Sequence, residues 1–405
     1  MTQATTISEE LNLYKPELSN ELSGILGYWM KYTIDEVNGG FYGCLNEENE
    51  VLENAPKGSV LNARILWSFS AAYNLTKKST YLDHATRAYE YITEYFVDKD
   101  KGGVFWTVDH LGNPLDTKKQ VYAIAFTIYG LSEYYLASGN SNAKYMALNL
   151  YNTLIRYSYD EARTGYLEAF TRDWQPISDL RLSAKDANEK KTMNTHLHVL
   201  EAYTNLYRIW PDDGLKKQIT ILLDNFVDHF INPETHHLNL FFDEHWNSRS
   251  GLVSYGHDIE ATWLLQEAAE VINDEVRRDA IKKINLAIAE ATLQGLDTDG
   301  GLWYEYDPGN EHLIKEKHWW VQAEAMVGFY NTWQISGDDK YIALSKKSWD
   351  FVKANILDTE NGEWHWGVTE NGEIMPNQDK VGLWKCPYHN TRACIELIKR
   401  IKQQP

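Results

Sequence analysis

Apolar residues after Gly256 recur at helical spacing. Ile259, Trp263, Leu264 and Ala268 fall on one face of a predicted helix over 258–271. The same period runs through residues 81–96, 121–136, 213–230 and 388–401. Patterns of this kind predict about twelve helices: one at the N-terminus, five pairs and a last one near the C-terminus. Between pairs, glycine stands beside aromatic residues. The copies are Asn38-Gly39-Gly40-Phe41-Tyr42, Lys101-Gly102-Gly103-Val104-Phe105-Trp106, Arg163-Thr164-Gly165-Tyr166-Leu167, Asp299-Gly300-Gly301-Leu302-Trp303 and Glu360-Asn361-Gly362-Glu363-Trp364. A degenerate copy without glycine, His236-His237-Leu238-Asn239-Leu240-Phe241, lies between the third and the fifth. Counted at positions 40, 103, 165, 238, 301 and 362, the steps are 63, 62, 73, 63 and 61 residues. So regular a step marks a repeated supersecondary unit.

Most copies run on into strand, turn and strand, as in Thr107 to Asn113 and in Gly367 to Glu373, where Asn371-Gly372 is a hairpin dipeptide. Six hairpins and about twelve helices make six helix-hairpin-helix units. A linear solenoid needs polar caps at its ends. None is evident, and the final helix is as amphipathic as the rest. The predicted fold is therefore all-α, a closed (α/α)6 barrel with short β-hairpins on one face; an open right-handed superhelix is the alternative. One helix of each pair lies inside, and the hairpins precede the even-numbered helices, so their N-terminal ends share the hairpin face. No linker or break in composition divides the 405 residues, which predicts a single catalytic domain over 1–405.

Charge and composition narrow the partners. A net charge of -19 argues against nucleic acid and anionic membrane. Residues Met1 to Glu10 show no basic region followed by an apolar one, so no leader is expected, and no apolar run reaches membrane-spanning length. The cysteines Cys44, Cys386 and Cys394 are odd in number without metal-type spacing, which suits free thiols in reducing cytoplasm. The 15 Trp and 26 Tyr are unusual; aromatics are often core, but sugar-binding clefts also need flat apolar faces edged by hydrogen-bonding groups.

Closure of the ring gives meaning to the polar residues at the starts of the even helices: Arg64, Tyr122, Asn194 with His198, His257 with Glu260, Trp320 with Glu324, and His389. They share one phase of the repeat and so converge on one concave site. Each has a plainer reading. Glu260 complements a helix dipole and His257 sits at a rim. Arg64, amid apolar neighbours, is an ion-pair partner. His196 and His198 point in different directions on a helix, so one faces the site and the other is structural. His389 follows Pro387 in the first turn of the last helix and serves in packing. No His-Glu-x-x-His, carboxylate cluster, phosphate loop or dinucleotide fingerprint is present, so neither metal nor nucleotide cofactor is expected.

Three segments carry a resemblance: Gly256-His257-Asp258-Ile259-Glu260-Ala261-Thr262-Trp263, Lys317-His318-Trp319-Trp320-Val321-Gln322-Ala323-Glu324-Ala325-Met326 and Trp384-Lys385-Cys386-Pro387-Tyr388-His389. They are similar to the N-acylglucosamine 2-epimerase family, and within it most like the members that epimerise cellobiose at C2. The resemblance spans nearly the whole chain and implies the same (α/α)6 barrel. It implies inversion at C2 of the reducing-end glucose of β-1,4 disaccharides, cellobiose to glucosyl-mannose and lactose to epilactose, through ring opening and a cis-enediolate. His257 and His389 match the acid/base pair, with Glu260 orienting His257. Arg64 and His198 would hydrogen-bond oxygens that become negative. Tyr122, Asp186 and Asn194 would contact the sugar or position its neighbours, and Trp320 and Trp384 would stack on it. No cofactor is implied, the partner is the disaccharide alone, and a monomer is expected. The nearest rival is an aldose-ketose isomerase of mannose type on the same scaffold. A hydrolase, which needs two carboxylates flanking the bond, and a sugar-binding protein without catalysis are further rivals.

Overall fold

A computed structural model describes residues 2–403, apart from the side chains of residues 2–10 and 12. The side chains on which the absence of a leader was read thus lie outside the described residues. Twelve α-helices are present among the described residues: α1 (Thr2–Tyr32), α2 (Ser59–Thr76), α3 (Ser79–Tyr91), α4 (Val121–Ser138), α5 (Ser141–Tyr157), α6 (Met193–Ile209), α7 (Asp213–Asn225), α8 (Tyr255–Val271), α9 (Glu275–Thr292), α10 (Trp319–Ser336), α11 (Asp339–Asn355) and α12 (Tyr388–Lys402). The even-numbered helices pack in the order α2, α4, α6, α8, α10, α12, and α12 returns to α2. The inner ring is closed, as the repeat predicts. Each odd helix packs outside a partner: α3 on α2, α5 on α4, α7 on α6, α9 on α8, α11 on α10, and α1 on α12.

Sequence separates the two rings. Inner α4 is buried without interruption from Val121 to Ser132, as a helix covered on all sides must be. Outer α5 buries only Ala143, Ala147, Leu150, Tyr151 and Leu154, one stripe at helical spacing. The outer helices α5, α7, α9 and α11 start at Asn140, Asp212, Asp274 and Asp338, whose side chains accept the first free N–H groups. Losing such a cap costs about 0.5–2 kcal/mol. Inner helices also approach closely: a Cβ on Gly328 of α10 would lie 2.6 Å from the Ile259 carbonyl oxygen of α8.

The hairpin face is a relay between units. A two-residue strand precedes each inner helix from α2 to α10 and pairs with a strand of the following unit. Lys57 pairs with Val108, Lys119 with Phe170, Lys191 with Phe242, Val253 with Tyr306 and Lys317 with Val368. Before α12, Val381 bridges to Leu45 of the first unit and closes this ring as well. In five units the residue at that position, or just before the bridge, is a buried lysine paired with the aspartate that opens the unit's turn. Lys57 meets Asp35 at 2.8 Å, Lys119 meets Asp98 at 2.8 Å, Lys191 meets Asp160 at 3.0 Å and Lys317 meets Asp297 at 2.7 Å; Lys380 pairs with Asp358. The fourth unit has Asn232 and Val253 instead. Both charges are missing together, as they must be where a lone buried charge is costly.

Candidate active site

Several residues expected at the site stand at the hairpin ends of the inner helices. Three imidazoles are held there by different partners. His198 of α6 has Nδ1 2.9 Å from Glu201 Oε2. His389 of α12 has Nδ1 2.7 Å from Glu324 Oε1 of α10. His257 of α8 has Nδ1 2.8 Å from the hydroxyl of Ser254, which pairs with Glu305 in the strand just before the helix. A carboxylate accepts from Nδ1–H and so leaves Nε2 bare in His198 and His389; a hydroxyl can donate or accept and leaves both tautomers open to His257. His196 is the structural member of its pair. Its Nδ1 meets the Thr192 carbonyl and its Nε2 accepts the Tyr166 N–H at 2.8 Å. Asp258 and Gln322, at the same helical position, take the N–H of Leu238 and of Leu302.

Trp320 lies against two of the imidazoles, His257 and His389. Its indole lies 4.8 Å from the His257 ring and 5.6 Å from the His389 ring, centroid to centroid. Gly256 permits this approach, since a Cβ there would fall 2.6 Å from the indole. His389 does not face His257 across the ring. Helix α10 alone separates α8 from α12, whereas the helix opposite α12 is α6, which carries His198.

Arg64 of α2 is buried, with its guanidinium 4.2 Å over Phe126 and 4.7 Å over Tyr388. It donates to the Tyr122 hydroxyl at 2.8 Å and to Cys386 Sγ at 3.7 Å, while its Nε has no partner. Tyr122 is 3% exposed. Its hydroxyl fixes the Arg64 guanidinium, which is the positioning role expected for it as the alternative to direct sugar contact. Asn194 is half-buried with an unpartnered Oδ1, a group free to meet a ligand. Trp384, also half-buried, lies 5.9 Å from Trp106 and 6.0 Å from Tyr122. Asp186 accepts from the Ser183 N–H and hydroxyl within its own loop.

Glu260 departs from expectation most clearly. It does not hold His257. Its Oε1 accepts from Arg392 of α12, and its Oε2 has no partner. Arg392 also donates to Glu201, to Glu324 and to the Tyr388 hydroxyl. One guanidinium thus gathers three carboxylates a helical turn below the imidazoles. Glu201, Arg392 and Ser254 were not singled out from sequence. Their one signal is spacing: Glu201 and Arg392 follow His198 and His389 by three residues, as Glu260 follows His257. Glu260, Glu324 and His389 each bring a ligand atom within 4.8 Å of the others. Arg392 already donates to both carboxylates, so a fixed cation serves them.

Burial decides the charge of the imidazoles. It pulls His257 down to about 3, aided by His198 and opposed by Glu324. It drives His389 well below the ordinary value, with Arg64 and Arg392 adding to the effect. It lowers His198 against the pull of Glu201. All three rings are neutral near neutrality, the state a base needs.

The sequence profile of the N-acylglucosamine 2-epimerase (GlcNAc 2-epimerase) family matches residues 40–393. A cellobiose 2-epimerase of Bacteroides fragilis is 48% identical over 95% of this chain and 99% of its own length. One of Ruminococcus albus is 41% identical over 95% of this chain and 98% of its own. The solved cellobiose 2-epimerase from Bacillus thermoamylovorans B4167 superposes with a TM-score of 0.91 at 42% identity, over 96% of this chain and 100% of that one. A solved D-mannose isomerase, at 21% identity and a TM-score of 0.84, shares the fold. With a profile match of that extent and identities above two-fifths over nearly the full length, the chain belongs to the N-acylglucosamine 2-epimerase family.

Proposed function

We propose that this chain inverts C2 of the reducing-end glucose of β-1,4 disaccharides, converting cellobiose to glucosyl-mannose and lactose to epilactose. The observation that carries the reading is the pair of neutral imidazoles, His257 and His389, on either side of Trp320, in a chain 48% identical to a cellobiose 2-epimerase. The sugar ring opens to the aldehyde, which acidifies the C2 proton. One imidazole takes that proton and leaves a cis-enediolate. The other returns a proton to the opposite face. Reversal of the reaction exchanges their roles, as microscopic reversibility requires. Arg64 and His198 face the oxygens that gain charge. Asn194 hydrogen-bonds a sugar hydroxyl, and Trp320 and Trp384 offer aromatic faces. The opened aldehyde is itself the electron sink, so the reaction as proposed calls on no metal or cofactor.

The carboxylates bear on the hydrolase reading. Glu201, Glu260 and Glu324 all turn to Arg392, not to two sides of a glycosidic bond. The substrate is the one partner proposed. We propose that the protein acts as a monomer. No helix among the described residues is long and apolar enough to cross a membrane. The free thiols Cys44, Cys386 and Cys394 suit work in reducing cytoplasm. Separate incubation with cellobiose, lactose and mannose tests the assignment. C2 epimers from the two disaccharides are expected; ketose as the main product, or free glucose from cellobiose, contradicts it.

A further inference from the structure

We propose that Glu260 is a neutral carboxylic acid at neutral pH, and that with Arg392 it forms a positioning group that sets the charge and placement of His198 and His389. The inference rests on the functional reading above for its kinetic consequence, not for the proton itself.

The assignment follows from counting donors. Glu201 accepts at both oxygens: Oε1 from Arg392 and Tyr388, Oε2 from His198 and Tyr388. Glu324 also accepts at both: Oε1 from His389 and Arg392, Oε2 from the Trp263 indole at 3.1 Å. Arg392 and His198 hold Glu201 low and ionised; burial raises Glu324, but donors meet both of its oxygens, so of the two raised carboxyls a proton sits better on Glu260. Glu260 accepts at Oε1 alone, while its Oε2 is buried with no partner. An ionised oxygen there would have no donor from the chain, a costly arrangement for a buried carboxylate. A proton on Glu260 removes that charge.

The charge count agrees. Facing Glu260 are Glu201 from α6, Glu324 from α10, and Arg392, Tyr388 and His389 from α12, with Arg64 and Tyr122 beyond. With Glu260 neutral, the carboxylates of Glu201 and Glu324 balance the guanidiniums of Arg392 and Arg64, and the imidazoles need carry no charge. With Glu260 ionised, the cluster holds one negative charge in excess, and the imidazoles would take up a proton to offset it. Burial first, and then Glu324, push the Glu260 carboxyl up to about 8. Because the folded value is raised, folding retains a proton that the unfolded chain releases. The associated stability is full below the ordinary glutamate range and is lost as pH rises through about 8.

Infrared difference spectroscopy of the full-length protein, wild type against Glu260→Gln, tests this directly. Wild type should show a protonated-carboxyl stretch near neutrality that Glu260→Gln lacks and that disappears as pH rises through about 8. Buried Glu168 is also raised to about 8, so the assignment depends on the difference between the two proteins. Should Glu260→Gln fail to fold, Glu260→Asp supplies the comparison by shifting the band. In turnover, the pH profile separates the two proteins: wild-type kcat should fall as pH rises through about 8, where Glu260 ionises, whereas Glu260→Gln, which cannot ionise, should show no such limb. A folded Glu260→Gln with no change in the carboxyl region, or one that keeps the wild-type fall in kcat through about pH 8, overturns the proposal. If wild type itself does not turn over cellobiose, the functional reading fails while the infrared band still decides the proton.

Discussion

His389 is the residue on which the chemistry depends most, because its Nε2 is bare and its Nδ1 is fixed by Glu324. His389→Asn keeps a hydrogen-bonding group of similar size but cannot exchange protons. It should fold with a near-normal thermal midpoint and bind cellobiose, with kcat lower by about two to four orders of magnitude. Epimerisation at most of the wild-type rate would remove His389 from the mechanism. The free enzyme should also show an unusual acid limb. Burial lowers both imidazoles, His257 to about 3, so they stay neutral until pH falls well below the ordinary histidine value. The kcat/KM profile should therefore remain flat through that value and decline only below it; a limb at the ordinary histidine pKa contradicts the buried, neutral pair. The repeat phase made these histidines legible. It could not say which charged neighbour each would engage. On α6 the three-residue spacing does join His198 to Glu201. On α8 the same spacing does not join His257 to Glu260, because Arg392 draws Glu260 toward α12 and Ser254 takes the imidazole. A serine just before a helix reads as an ordinary cap, so its role was not visible in the sequence.

The helices follow the periodicity closely, since a covered helix and a one-sided helix bury different sets of residues. The pattern over 81–96 and 213–230 runs on as one helix in sequence, whereas the last turn of each, Ile92–Phe96 and Phe226–Phe230, winds as a π-turn. Side-chain period is too coarse to register that change. The pairing of strands between units was hidden for a related reason: two residues carry no alternation. The aspartate–lysine pairs give this scale its test. Lys57→Val strands the buried Asp35 carboxylate and should cost about 3–5 kcal/mol in denaturant unfolding. Adding Asp35→Asn recreates the pair found in the fourth unit, where Asn232 still accepts the turn N–H groups of Glu234 and Thr235. The double variant should regain most of the loss. A double variant no more stable than Lys57→Val would show that the pairing is not what the lysine provides.

At the scale of the whole molecule, closure makes the site. Its groups come from α2, α6, α8, α10 and α12, more than three hundred residues apart in sequence, and α12 meets both α1 and α2. We propose that the ring, residues 1–405, unfolds as one domain. Calorimetry should give one transition, and two separated transitions contradict this. The six copies of the repeat made closure legible, whereas the shared cation at Arg392 was hidden, because only closure brings three distant carboxylates to it. The account as a whole stands on proton exchange at C2 by two imidazoles, and proton NMR of cellobiose incubated with the enzyme in heavy water reads that event atom by atom. The predicted result is a glucosyl-mannose product carrying deuterium at C2 of its reducing-end sugar, with no free glucose. An epimer that keeps its original C2 proton, or a time course with no change at C2, contradicts it.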